Sequence, residues 1–334
     1  AVLLSCSSKA GELRMASSDT KVIVAYVTSW SSIMPDPQYM THINYAFGHV
    51  SENFNGVGID NENRLRGIVA LKAQKPELKI MLSIGGWGSG RFSEMAANDE
   101  YRRAFAKDCD RVVKEFDLDG IDIDWEYPTS SMANISASPD DTENFTLLMK
   151  DIRAAIGDQK ELTLATVASA KYIDFKAILP FINFVNIMAY DMASAPKHHS
   201  ALYRSANSGG ITSDEAVTAH LKGGVPPSML VMGMPFYGRG GDGYPSFQDF
   251  NKVGSTGGDY TEKWDTVAQV PYLVNKNDTL VFGFENARSL AIKCQYILDR
   301  DLLGGMYWDY SGDNEQGDLR RTVAENLLGN KHRT

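Results

Sequence analysis

The chain reads Asp119-Gly-Ile-Asp-Ile-Asp-Trp-Glu-Tyr-Pro128 near its middle. Apolar residues in this stretch alternate with Asp122, Asp124 and Glu126. Side chains two residues apart on a strand share one face, so the pattern predicts a short strand with three carboxylates on one side. Like charges at this spacing do not all ionise easily, and we expect at least one raised pKa. A carboxylic acid that stays protonated near neutral pH is suited to general-acid catalysis.

Eight short apolar segments predict strands, and amphipathic helical patterns lie between most of them. This alternation predicts an α/β fold, and eight units favour a TIM (β/α)8 barrel with its catalytic residues at the carboxyl ends of the strands. A doubly wound open sheet is the weaker alternative, because no G-x-G-x-x-G follows the first strand. The predicted strands are Val22–Val27, His42–Phe47, Lys79–Ile84, Gly120–Glu126, Leu162–Ala168, Phe184–Tyr190, Leu230–Phe236 and Gly305–Trp308. The predicted helices are Leu65–Ala73, Ser93–Phe116, Thr142–Ile156, Asp214–Lys222, Ser289–Asp301 and Leu319–Leu328.

One segment lies outside this regular alternation. The segment from about 240 to 280 is rich in Gly, Asp, Tyr and Phe, lacks a helical pattern, and predicts a short insertion between the seventh and eighth strands.

The five tryptophans all fall at the predicted catalytic end of the barrel, where such rings could line a sugar-binding cleft rather than a core. They are Trp30, Trp87, Trp125, Trp264 and Trp308.

The acidic run has the form D-x-x-D-x-D-x-E and resembles the signature of glycoside hydrolase family 18, the chitinase family. Asp119, Asp122, Asp124 and Glu126 supply its acids, followed by the typical Tyr-Pro. Five further motifs resemble this family in the order of the strands, so the resemblance extends from about residue 21 to 329. They are Asn44-Tyr-Ala-Phe47, Ser83-Ile-Gly-Gly86, Met188-Ala-Tyr-Asp191, Gly233-Met-Pro-Phe-Tyr-Gly-Arg239 and Gly304-Gly-Met-Tyr-Trp308.

The resemblance implies a role for each matched residue. Glu126 would act as general acid and then as general base. Asp124 would orient the substrate's 2-acetamido group, Asp122 would share a proton with Asp124, and Tyr190 would hydrogen-bond the acetamido group. Tyr26, Ser83 and Arg239 could instead be ordinary packing or surface residues. The implied substrate-binding residues are Tyr26, Trp30, Phe47, Ser83, Gly86, Trp87, Met188, Asp191, Tyr237, Arg239 and Trp308.

The implied reaction is the retaining hydrolysis of β-1,4-linked N-acetylglucosamine. Most retaining glycosidases use a second carboxylate as the nucleophile, but family 18 uses the N-acetyl oxygen of the substrate itself. The resemblance implies neither a cofactor nor a metal. The alternatives are an endo-β-N-acetylglucosaminidase acting on N-glycans, an enzyme whose substrates are peptidoglycan fragments, and a non-catalytic chitooligosaccharide-binding protein. The acidic cluster could also hold Mg²⁺ or Ca²⁺, which prefer carboxylate ligands.

Net charge and the first residues bear on partners and location. The chain of 334 residues carries a net charge of −9 with no basic run, which argues against nucleic acid and anionic membranes as partners. The sequence indicates no protein partner.

Leu3-Leu-Ser-Cys6 resembles a bacterial lipobox, so Cys6 would be lipidated and the protein exported to the cell envelope or outside it. We expect residues 1–20 to be the end of a lipoprotein signal and a tether, 21–329 the catalytic barrel, and 330–334 a tail.

Overall fold

The computed structural model describes residues 20–255 and 257–329. The predicted lipidation site, Cys6, lies outside these residues, as does most of the segment expected to be a tether. Within the described residues, none of the helices has both the length and the apolar character needed to cross a bilayer.

Eight parallel strands close into a barrel, which confirms the predicted TIM fold. The barrel strands are β1 (Val22–Thr28), β2 (His42–Val50), β4 (Lys79–Gly85), β5 (Gly120–Asp124), β6 (Glu161–Val167), β7 (Phe184–Met188), β8 (Leu230–Pro235) and β14 (Gly304–Trp308). The order around the barrel is β1-β14-β8-β7-β6-β5-β4-β2, and pairing of β1 with β2 closes the ring. A short strand, β3 (Val57–Ile59), pairs antiparallel with β2.

Two predicted strands end two residues earlier than expected, and the difference concerns Glu126 and Tyr190. Strand β5 ends at Asp124 rather than Glu126, and β7 ends at Met188 rather than Tyr190. Glu126 and Tyr190 therefore belong to the loops beyond the strands. In a TIM barrel these loops form the catalytic face.

Alternation along β5 separates the barrel interior from the layer of helices. Ile121 and Ile123 are fully buried in the large core between strands and helices. Asp122 and Asp124 have the opposite parity and point into the barrel, where both are buried. The closed sheet therefore places two carboxyl groups inside the barrel.

The helices pack outside the barrel, and four of the six predicted helices lie within two residues of their predicted bounds. The predicted helix Ser93–Phe116 is instead two helices, because Asn98 is extended and its side chain caps the second by accepting from the amides of Glu100 and Tyr101. The helices are α1 (Glu62–Val69), α2 (Phe92–Ala97), α3 (Asp99–Glu115), α4 (Asp141–Ile156), α5 (Phe175–Ile178), α6 (Ser213–Lys222), α7 (Ala287–Asp299) and α8 (Asp318–Leu328).

The insertion between β8 and β14 is a five-stranded antiparallel sheet in the order β10-β9-β13-β12-β11. A buried ion pair attaches it to the barrel: Lys293 of α7 contacts Glu285, which follows the last insertion strand. Lys293 also donates to the carbonyl of Ser200, in the loop after β7. The insertion strands are β9 (Tyr237–Gly240), β10 (Phe247–Asp249), β11 (Thr261–Asp265), β12 (Val270–Val274) and β13 (Leu280–Gly283).

Candidate active site

Asp122 lies inside the barrel, surrounded by donors from four other strands. The hydroxyls of Tyr26 and Ser83 donate to its Oδ2 at 2.7 and 2.8 Å. Its Oδ1 accepts from the Thr163 hydroxyl at 2.7 Å and, more weakly, from the Asn186 amide at 3.4 Å. Burial raises the pKa of Asp122, while these four hydrogen bonds oppose the rise. Because every partner donates, they stabilise the carboxylate form.

Asp124 and Glu126 continue the row of acids toward the mouth of the barrel. Burial, followed by the charges of Glu126 and Asp122, raises the pKa of Asp124 well above its usual range. Burial also raises the pKa of Glu126 to about 7; the charge of Asp191 adds to this rise, and hydrogen bonds with Tyr127 and Asp124 oppose it. Glu126 is thus protonated up to near neutral pH, as a general acid must be.

A cleft of about 670 Å³ opens above these acids. It brings together twelve of the residues predicted for catalysis or substrate binding. Asp122 and Ser83 lie beneath its floor, and Gly86 is in the loop beside it. The predicted residues that line the cleft are Tyr26, Trp30, Phe47, Trp87, Asp124, Glu126, Met188, Tyr190, Asp191, Tyr237, Arg239 and Trp308.

Trp308 is the centre of an aromatic group on one side of the acids. Its ring lies 5.6 Å from that of Phe47 in a stacked arrangement, 5.5 Å from Tyr26 and 6.3 Å from Trp30. Trp30 is 67% exposed at the outer edge of this group. Flat apolar rings that remain open to solvent suit the apolar faces of sugar rings.

The loop after β4 carries Trp87 to the cleft, where its side chain is 61% exposed. Gly86 permits this path. Its φ is +96°, and a Cβ there would come within 2.7 Å of the Phe47 ring. The Gly86 amide donates to the Asp124 carbonyl at 2.9 Å, and the Ser89 hydroxyl is 2.7 Å from His49 Nδ1. The loop is therefore fixed against both β5 and β2.

Asp191 and Arg239 form the facing wall. Arg239 Nε donates to Asp191 Oδ1 at 2.7 Å, and the guanidinium lies over the rings of Tyr237 and Phe247. Burial alone would raise the pKa of Asp191, but hydrogen bonds and charges from His199 and Arg239 outweigh it and lower that pKa. Asp191 is therefore a fixed negative charge on the wall of the cleft.

Several residues of the site are not among those that the sequence predicts. Thr163 belongs to the acid network because it pairs in register with Asp122 across β5 and β6. Alternation along β6 could have placed Thr163 on the inner face of the barrel, but not opposite Asp122. Tyr127 stacks on Tyr172 at 5.4 Å and forms part of the cleft beside Trp87. The other cleft residues outside the prediction are Met132, Val167, Ala168, Ser169, Met192, Ile211 and Phe247.

Two of the five tryptophans do not line the cleft, contrary to the prediction. Trp125 is buried and stacks on Phe92 at 5.3 Å, because its strand parity is opposite to that of the acids. Trp264 belongs to the insertion and lies under the guanidinium of Arg288, 3.9 Å from the ring centroid. Position near the catalytic end does not by itself decide which way a ring faces.

The donors around Asp122 also bear on the metal alternative. Both of its oxygens already accept hydrogen bonds, two on each. A cation at the cluster would have to displace these donors or leave Asp122 out of its ligand set. The arrangement therefore makes Asp122 a poor metal ligand.

Comparison with known proteins identifies one family for this chain. The sequence model of glycosyl hydrolases family 18 matches residues 22–313. Chitinase A1 of Niallia circulans is 29% identical over 89% of this chain, which spans 57% of that protein. Chitinase B of Serratia marcescens is 26% identical over 90% of this chain and 80% of its own. A family 18 N-acetylglucosaminidase from Paenibacillus barengoltzii superimposes with a TM-score of 0.85 and 31% identity, over 92% of this chain and all of that one.

The Thr163 hydroxyl should contribute measurably to the acid network. Thr163→Val removes one donor to Asp122 at nearly constant volume, and we expect kcat to fall by about tenfold, since losing a hydrogen bond to a charged group costs roughly 1.5–3 kcal/mol. Thr163→Ser is the matched control and should keep most of the activity. Steady-state kinetics on a soluble substrate checks this, and equal kcat in the Val and Ser variants would contradict the assignment.

Proposed function

The chain belongs to family 18 of the glycosyl hydrolases, and we propose that it is a chitinase that cleaves β-1,4-linked N-acetylglucosamine with retention of configuration. One observation carries the proposal: a single acid with a pKa of about 7, Glu126, stands at the floor of an aromatic-lined cleft, above a buried pair of aspartates. The named relatives also support it, since two of them are chitinases.

In the proposed first step, Glu126 donates its proton to the glycosidic oxygen and the bond from that oxygen to the anomeric carbon breaks. The carbonyl oxygen of the substrate's N-acetyl group forms the new bond to the anomeric carbon, giving an oxazolinium-like intermediate. Asp124 accepts from the acetamido N–H and holds its oxygen toward the anomeric carbon. Tyr190 donates to the weak acceptor Met306 Sδ at 3.7 Å, which a substrate carbonyl would replace.

In the second step, water attacks the anomeric carbon and Glu126, now a carboxylate, takes up its proton. The bond to the acetamido oxygen breaks, so the configuration after two displacements equals that of the substrate. Four hydrogen-bond donors favour the carboxylate form of Asp122, which would stabilise the positive charge from below. The N-acetyl group thus replaces the second carboxylate that other retaining glycosidases provide.

The likeness to an N-acetylglucosaminidase along that enzyme's whole length supports a second candidate, the release of single N-acetylglucosamine units. Both candidates use the same acids and the same substrate-assisted step. They differ in product length, which one assay can report.

Product analysis by mass spectrometry tests the proposal. The wild type should cleave chitotetraose, Glu126→Gln should lose roughly 10²–10⁴-fold of the rate as expected for loss of a general acid, and Glu77→Gln should retain it as a matched surface control. Fully deacetylated chitosan oligomers should remain intact, because they lack the nucleophile.

Dimers as products would favour the chitinase, and monomers the second candidate. Efficient cleavage of the deacetylated oligomers would contradict substrate assistance. A high-mannose glycoprotein serves as the competing substrate. Release of its glycan with chitotetraose intact would instead indicate an endo-β-N-acetylglucosaminidase.

We also propose that the protein is exported and anchored to the bacterial cell envelope through a lipid on Cys6. The supporting observation is the sequence Leu3-Leu-Ser-Cys6. When the natural precursor is expressed in bacteria fed labelled palmitate, we expect label in the wild type and in the control Ser8→Ala, and none in Cys6→Ser. A wild type without label, or a labelled Cys6→Ser, would contradict the anchor.

A further inference from the structure

His199 lies in the loop after β7, directly behind the wall of the cleft. Its side chain is 1% exposed. Nδ1 is 3.2 Å from the backbone nitrogen of Asp191 and 3.7 Å from its Oδ1. The His199 carbonyl accepts from the Met192 amide at 3.0 Å. One residue therefore contacts the backbone and the carboxylate of Asp191 from inside the protein.

Because of where Nδ1 lies, His199 can contact Asp191 whether or not Nδ1 carries a proton. A bare Nδ1 accepts from the Asp191 amide, and a protonated Nδ1 donates toward the Asp191 carboxylate. Nε2 is buried and has no hydrogen-bond partner among the described residues. The ring lies 5.3 Å from that of Tyr237, which confines it from the insertion side. The imidazole is thus aligned with Asp191 rather than with another group.

Asp191 in turn acts on the acid. The negative charge of Asp191 helps to keep Glu126 protonated. The φ of Asp191 is 53°, in the left-handed region that few non-glycine residues adopt. Arg239 holds the carboxylate from the cleft side. With His199 on the inner side, the charge has a defined position relative to Glu126.

We propose that His199 is a positioning residue for the reaction: it fixes Asp191 against Arg239, and through the place of that charge it sets the pH range in which Glu126 works. The inference rests on the proposed function of the same site. Without His199, the Asp191 carboxylate loses its inner contact and turns toward solvent, where its charge is better screened. Glu126 then loses its proton at lower pH.

Other charged groups near His199 and Glu126 must be kept constant in a test. His198 bonds to Asp265 at 2.9 Å on the insertion side, and Ser200 belongs to the cluster with Glu285 and Lys293. Glu126 is faced by Asp124 from β5 and by Tyr190 from the β7 loop, besides its neighbour Tyr127. Substitution of His199 alone leaves all of these in place.

The experiment is the pH profile of kcat/KM on chitotetraose. His199→Phe keeps the ring volume but removes Nδ1, and we expect its alkaline limb to move to lower pH by about 0.5 unit, a modest loss of one charge interaction. His199→Asn can still offer a polar atom to Asp191 and should restore most of the wild-type profile. His198→Asn is the matched control in the same loop and should leave the limb in place.

A second background separates positioning from general damage. In Asp191→Asn, His199→Phe should cause no further displacement of the limb, because the two changes act through one charge. Thermal unfolding verifies that each variant folds, and His199→Leu carries the same test should the Phe variant not fold.

The inference would be overturned if the alkaline limb of the pH profile did not move in folded His199→Phe. It would also be overturned if His199→Phe moved that limb by the same amount in the Asp191→Asn background. A wild type that cleaves no N-acetylated oligosaccharide would instead overturn the proposed function, and this inference with it.

Discussion

Three carboxyl groups in one row, on or just beyond a single buried strand, are the constraint on which the site depends. Burial and mutual repulsion make it costly for all three to ionise, so protons are retained at Asp124 and Glu126. Glu126 binds its proton more tightly in the folded protein than in the unfolded chain, where the usual pKa is 4.5. Stability therefore falls as the pH rises from about 4.5 to about 7. The fold gives up this stability to keep an acid ready for catalysis.

The remainder of the molecule supports that row from three directions. Beneath it, the barrel supplies four donors to Asp122. Above it, the loops after the strands carry the aromatic rings of the cleft. On the far wall, the insertion contributes Arg239, and the buried pair of Lys293 and Glu285 attaches that sheet to the barrel. Removing one partner of such a pair leaves a buried unpaired charge, so the insertion depends on both residues.

The sequence predicted the barrel and the row of acids because both arise from short-range periodicity. Ile121 and Ile123 indicated a buried strand, and the acids between them had to share its other face. It failed where contacts join distant segments. The pairing of Thr163 with Asp122 requires knowledge of strand register, and the stacking of Tyr127 on Tyr172 depends on two loops. Trp264 shows the same limit, since the path of the insertion decides that it meets Arg288 rather than the cleft. Asn98 divides a helix that periodicity alone made continuous.

A direct titration of Glu126 tests the central claim best. Carbon-13 NMR of the protein labelled at glutamate carboxyls, compared with Glu126→Gln to assign the signal, would report the ionisation of this group without substrate. If Glu126 keeps its proton up to near neutral pH, one carboxyl resonance titrates near pH 7 and is missing in the variant. A Glu126 signal that titrates near its usual pKa of 4.5 would contradict the account, because the acid would then be ionised before the reaction begins.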